Sequence, residues 1–199
     1  MPAYLRTDTQ EEAISALQMA ASSLEAIAID CYRWKWAVLA LHAAVQGFMV
    51  LGLRGSNDFE VLSSAAAKDW LAAVEAGDPP PLDQKRLDSF LGLYRKVKSD
   101  RMLRYVNSKQ FRPGKTHDRS LAMLNELRNE FTHFLPKHWS LEVSGLPSIC
   151  GDCLDLIEFL GWDSGNVMWI DEGSETRAHR ALAEARRQIL AAHALGEVQ

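Results

Sequence analysis

Apolar residues recur along this chain at three- and four-residue steps almost throughout, the period of an amphipathic helix. Ile14, Leu17, Ala21, Leu24 and Ala28 form one such face. Ahead of it, Thr9 followed by Glu12 has the capping-box spacing, in which side chains satisfy the free amides of a first turn. From Trp36 to Leu53 eighteen residues carry no charge. That run just reaches the length of a membrane span. His42 and Gln46 interrupt it and no second such segment occurs, so the pattern predicts the central helix of a bundle and no membrane partner.

The remaining pattern is also mostly helical. A third helix is predicted over 59–76, using Val61, Leu62, Ala66, Trp70 and Val74. Gly77, Asp78 and Pro79-Pro80-Pro81 then break the chain, which makes 77–82 a candidate internal linker. A basic helix over 87–105 leads to a loop containing Pro113-Gly114. The next helix, 118–135, is stopped by Pro136, whose ring disfavours helix in the residue before it. Trp139, Leu141 and Val143 alternate with polar residues, predicting a short strand over 138–143. Helices over 149–160 and 174–195 follow, with a second strand at 167–170 between them. The expectation is one all-α domain over 1–199, an up-and-down multi-helix bundle with a small β-strand decoration.

Composition narrows the class. The 199 residues are 47% hydrophobic with a formal net charge of −4, which excludes an intrinsically disordered chain. Three cysteines are too few for a disulfide framework, and their odd number favours reduced thiols in a cytoplasm. The first residues, Met-Pro-Ala-Tyr-Leu-Arg, lack the basic-then-apolar order of a secretory signal. The charge is unevenly placed. Between Lys85 and Arg119 eleven Lys and Arg face three Asp, a local +8 that leaves −12 for the rest. Such a block is either a solvated face or a surface for a polyanion, with Arg101, Arg104 and Lys109 as candidate substrate-binding residues.

The helix before Pro136 contains an anomaly. Its apolar stripe is Leu121, Leu124, Phe131 and Leu135, and Arg128 falls within it, four after Leu124 and three before Phe131. A guanidinium on an apolar face needs an anion or accepting carbonyls, so Arg128 is either a partner for a core carboxylate or part of an anion site. Asn129 follows, and one turn later comes His133. Near the helix end, where unpaired carbonyls gather, an imidazole is favoured in its protonated form. Arg, a polar residue and His suffice for metal-free phosphoryl chemistry: His moves the proton and Arg neutralises charge on phosphate oxygens. Neither a metal nor a cofactor is called for.

Arg128-Asn129-Glu130-Phe131-Thr132-His133 resembles the R-x4-H signature of the HEPN superfamily, which commonly has a polar residue directly after the Arg. The resemblance implies an all-α bundle with the motif on a late helix. It also implies a homodimer whose two motifs meet in one groove, and metal-independent endoribonuclease activity of the kind found in toxin–antitoxin and defence systems. RNA would be the substrate, Arg128, Asn129 and His133 the catalytic residues, and a cognate antitoxin or nucleotidyltransferase the partner. Motif-level likeness extends only from about Leu121 to Glu142. A second copy of the pattern, Arg112 to His117, contains Pro113-Gly114, which forbids a helix. Residues five apart on an ideal helix are separated by roughly 140°. Either the last turn is distorted ahead of Pro136, or Arg128 and His133 act across a two-fold axis; the resemblance implies the second.

The competing reading is a non-catalytic bundle that binds nucleotide, RNA or a partner protein. Other features are ambiguous. His42 and Gln46, four apart, either line the groove of His133 as supporting residues or form a satisfied buried polar pair. Cys150-Gly151-Asp152-Cys153 is a lone C-x-x-C without the βαβ context of a redox site or the second pair of a zinc site. Trp139, Trp162 and Trp169 either stack on bases or close a core.

Overall fold

A computed structural model describes residues 3–77, 86–133, 136 and 138–196. Among the described residues seven α-helices order the chain: α1 Thr9–Glu25, α2 Arg33–Arg54, α3 Ser64–Glu75, α4 Phe90–Val97, α5 His117–Thr132, α6 Leu146–Glu158 and α7 Glu172–Gly196. Helix α2 is the axis of the bundle, packing against α1, α4, α5 and α6, while α7 packs on α1 and α6. By length and composition α2 would cross a membrane, yet most of its apolar residues are buried inside the protein, including Val38, Leu41, Val45, Phe48 and Met49. One apolar cluster runs through α1, α2, α4, α5, α6 and α7.

The start of α1 shows why the capping signal is shifted by one residue. Asp8, not Thr9, is the N-cap, and its carboxylate accepts from the amides of Gln10 and Glu11 at 2.7 and 3.0 Å. Thr7 donates its hydroxyl to Glu12 instead. Against α2, α1 comes unusually close at Gly47. A Cβ there would lie 2.8 Å from the Ala13 Cβ and 3.1 Å from its Cα. Only a glycine admits that approach.

The expected strands at 138–143 and 167–170 are not formed; no β-strand occurs among the described residues. Both segments lack a ladder partner, which a strand requires for its backbone groups. At 167–170 the partner is a side chain. Gln10, buried on α1, donates from Nε2 to the Met168 carbonyl at 2.6 Å and accepts from the Ile170 amide at 3.1 Å. At 138–143 the apolar alternation is met by packing: Trp139 lies against Phe131, ring centroids 5.3 Å apart, and Leu141 packs partly into the core. One isolated antiparallel bridge joins Leu62 and Leu87.

Helix limits also moved. The helix expected over 87–105 spans only Phe90–Val97, capped by the Ser89 hydroxyl on the Gly92 amide at 3.1 Å. Ser99 ends it by adopting an extended backbone and starting a separate short turn, Asp100–Met102. Likewise the helix expected over 59–76 divides into a turn at Phe59–Val61 and α3, which buries no residue. Helix α6 opens with Pro147 in its first turn and closes in a π-helical turn, Phe159–Asp163. Buried Asn166 then locks the following segment. It donates to the Gly52 and Met102 carbonyls at 3.0 and 2.9 Å and accepts from the Ser108 hydroxyl at 2.6 Å. Beyond Gly77 the candidate linker lies outside the described residues, as do Lys85 and Leu135.

The glycine contact between α1 and α2 is testable. Gly47→Ala regains about 1 kcal/mol of helix propensity, but overpacking against a rigid backbone atom costs about 1–3 kcal/mol. The variant is expected to unfold at lower urea, and adding Ala13→Gly is expected to restore part of the loss. A midpoint equal to wild type would show that the helices do not depend on this approach.

Candidate functional site

Helix α5 carries the candidate motif and is held at its start. Asp118 accepts from the Tyr94 hydroxyl at 2.9 Å and from Lys98 Nζ at 2.7 Å. Those two bonds, Lys98 first, hold its carboxyl below the usual range. Leu121 and Leu124 are buried and Phe131 packs against the core, as the periodicity predicts for the described part of the stripe, and Leu127 packs there too. Arg128 and Asn129 are half-buried at the edge of that stripe. Arg128 Nη1 donates to Asn129 Oδ1 at 2.9 Å, so the residue after the Arg holds the guanidinium rather than His133.

His133 is the first residue out of the helix. Its amide still donates to the Asn129 carbonyl at 3.0 Å, but its backbone is extended (φ −92°, ψ 97°) and its side chain is exposed. The two motif residues therefore face different cavities. Arg128 lines one of about 400 Å³ between α1 and α2, together with His42, Gln46 and Glu12. His133 lines another, of about 510 Å³, with Tyr32, Trp34, Lys35, Phe131 and Trp139.

This separates His42 and Gln46 from His133 and assigns them to Arg128. His42 is only 5% exposed, stacks on Phe90 at 4.1 Å between ring centroids, and bonds Asn125 Oδ1 through Nε2 at 3.2 Å. Its buried polar partner is thus Asn125, a residue without a distinguishing sequence signal. Burial, with the nearby Arg128 charge adding to it against the Asn125 bond, pushes the imidazole down to about 4. His42 is accordingly neutral at pH 7.

Four cations of the basic segment, Lys96, Lys98, Arg101 and Arg104, are engaged by their own protein. Lys96 pairs with Asp88 at 2.8 Å and donates to the Leu62 carbonyl. Arg101 pairs with Glu60 at 2.5 Å. Arg104 donates to the Leu53 carbonyl and lies where a Cβ on Gly55, at φ +53°, would stand. Of the candidate binding residues only Lys109 has an exposed side chain among the described residues with no ion pair to a carboxylate.

A second polar cluster was missed in the sequence because it joins residues remote along the chain. His117 at the start of α5 faces Asp152 and Asp155 on α6, at 3.8 and 3.7 Å. Asp152 also accepts from Thr116 and Ser120, and Arg186 pairs with Asp155 at 2.8 Å and with Glu158. Three such side chains form a metal-like grouping. However, His117 Nδ1 accepts the Gly114 amide at 3.1 Å, which leaves the proton on Nε2 and no nitrogen lone pair for an ion. The cluster ties α5 to α6. Between them Cys150 and Cys153 are fully buried, and burial pushes the Cys150 thiol up to about 12 and Cys153 well above its ordinary value. Thiolate chemistry is suppressed there.

No family model, curated protein or solved structure matches the chain.

Because His42 is depressed from about 6.5 to about 4, the unfolded chain takes a proton before the native one does. Its contribution to stability is complete above pH 6.5 and is lost as pH falls towards 4, a difference of about 3 kcal/mol. His42→Gln, which does not titrate, is expected to flatten that part of the stability–pH curve measured by urea unfolding. Parallel curves would show that His42 is not a buried neutral imidazole in the folded protein.

Proposed function

We propose that the protein is a HEPN-like, metal-independent endoribonuclease acting as a homodimer with a composite site. The observation that carries this reading is the arrangement at the end of α5: Arg128 held by Asn129 in one cavity, and His133 exposed in another. Within one chain the pair has no shared cavity. A second copy related by a two-fold axis supplies the missing half, and such closed dimers are the commonest assembly.

In this mechanism the 2′-hydroxyl of RNA attacks the adjacent phosphate. The P–O bond to the 5′-oxygen of the next nucleotide breaks, leaving a 2′,3′-cyclic phosphate. His133 removes the hydroxyl proton and, so protonated, hands it to the leaving oxygen. Arg128 neutralises the charge building on the non-bridging oxygens, and Asn129 fixes the guanidinium. Each role is worth about 2–4 kcal/mol of barrier. DNA lacks the attacking hydroxyl and is expected to survive. The three free cysteines fit a reducing cytoplasm as its place of action, with a cognate antitoxin or nucleotidyltransferase as regulator.

One observation favours a second reading, a non-catalytic bundle that binds nucleotide, RNA or a protein. Arg101 and Arg104, two of the three candidate substrate-binding cations, are already engaged within the chain.

Labelled RNA in EDTA separates the two. Wild type is expected to cleave it, and Arg128→Ala and His133→Ala each to fall by about 10²–10⁴-fold. Mixing the two inactive variants is expected to restore up to about a quarter of wild-type activity, because half the dimers then carry one intact Arg128/His133 pair. Activity in His133→Ala equal to wild type sinks the catalytic assignment. Activity in each variant lost but not restored on mixing sinks the composite site. Salt-dependent RNA binding without turnover by wild type selects the second reading.

A further inference from the structure

Helix α3 stands apart from the rest of the bundle. The other six helices each pack on at least one neighbour, whereas α3 has only slight contact with any element. None of its twelve residues is buried. Its root is firm. Val61 and Leu62 are buried, the Val61 carbonyl accepts from the Asp88 amide at 2.9 Å, and the Ser63 amide donates to the Arg86 carbonyl at 3.1 Å. Ser63 caps the helix by accepting from the Ala66 amide, and Trp70 rests on Phe59 with ring centroids 5.9 Å apart. At the far end Gly77 takes φ +78° with open space around it. Beside the Trp70 contact, Ala67, Leu71 and Ala72 look across an unfilled gap of about 450 Å³ at Phe59, Lys96 and Arg101. Lys68 lies on the same face towards the root and Glu75 at its free end. Leu71 is 45% exposed there. Apolar side chains across such a gap gain by closing it, and a helix without buried contacts moves at little free-energy cost.

We propose that α3 is a lid, hinged at Ser63, that closes over Lys96 and Arg101 and controls the access of a nucleic-acid strand to that part of the basic segment. This rests on the reading of Arg101 as a substrate cation and adds the regulation of that site. With the lid standing off, Arg101 is within reach. Its side chain is 52% exposed beside Glu60, and an exposed ion pair is weak enough to yield to a phosphate. Lys96 is held more firmly, by Asp88 and by the Leu62 carbonyl, and forms the floor. On closure Leu71 and Ala72 cover the two cations, and Glu75 brings a carboxylate towards them. The closed lid thus excludes a phosphate by shape and by charge.

Two variants that leave the net charge unchanged test this in the intact protein. Ala72→Leu fills the gap, and Leu71→Ser removes the apolar side chain that favours closure. Hydrogen exchange followed by mass spectrometry reads the lid, with α4 as the internal reference for the fold. In wild type the α3 amides are expected to exchange at least about tenfold faster than those of α4. Ala72→Leu is expected to slow them several-fold and Leu71→Ser to speed them. Binding of a labelled single-stranded DNA oligonucleotide, which has no 2′-hydroxyl to be cleaved, reads access. Its affinity is expected to fall several-fold in Ala72→Leu and to rise in Leu71→Ser. Exchange in α3 as slow as in α4 overturns the lid. So does an oligonucleotide affinity that is unchanged in both variants, moves the same way in both, or is absent throughout. The ribonuclease reading fails separately. Lid-dependent binding without RNA cleavage keeps the lid and removes the reaction, whereas cleavage indifferent to both variants does the reverse.

Discussion

Helix α2 is apolar on nearly every side, and such a helix is stable in water only if other helices surround it. One close contact is at Gly47, where the missing Cβ lets α1 approach until Ala13 fills the space. With α1 seated there, Ile14, Leu17, Ala21 and Leu24 join the core, and α7 packs on the other side of α1. The buried amide of Gln10 then reaches Met168 and Ile170, fixing the segment that leads into α7. The α1–α2 approach therefore positions both the amino- and carboxyl-terminal parts of the bundle. It also forms the cavity in which Arg128 meets His42.

Much of this architecture was legible because its cause is local. The apolar steps in α1, α2, α5, α6 and α7 put helices within a few residues of where they stand. Expectations failed where a distant residue decided the outcome. Alternation at 138–143 and 167–170 has the period of a strand, but a strand exists only if another backbone pairs with it. Gln10 and Phe131 supplied different partners. The end of α4 at Val97 depends on Ser99, whose neighbours in sequence read as helix. Nothing near Asn125 or Asn166 marks either as the partner of a remote buried group.

The candidate site was legible as residue types and not as an arrangement. Arg128 stood out because charge on an apolar stripe is costly, and the roughly 140° between residues five apart already made a shared face unattainable. The structure resolves this by ending α5 at Thr132, so that His133 leaves the helix altogether. Thr132 reinforces the break, its hydroxyl bonding back to the Arg128 and Asn129 carbonyls at 2.9 and 3.2 Å. Which cavity each side chain enters depends on α2 and on the segment after Pro136. Neither is visible from the six-residue motif.

The internal pairing of the basic segment bears on how partners arrive. A run of +8 in the sequence suggests a strong attractive field, but a field depends on net charge in space. Lys96, Lys98 and Arg101 each have a carboxylate within 2.8 Å, so the potential they project falls off as that of dipoles. Long-range steering, which raises encounter rates by about 10–10³ for strongly polarised proteins, depends instead on the rest of the segment set against the −12 carried elsewhere. Salt confines the reach of either sign to about 8–10 Å from the surface.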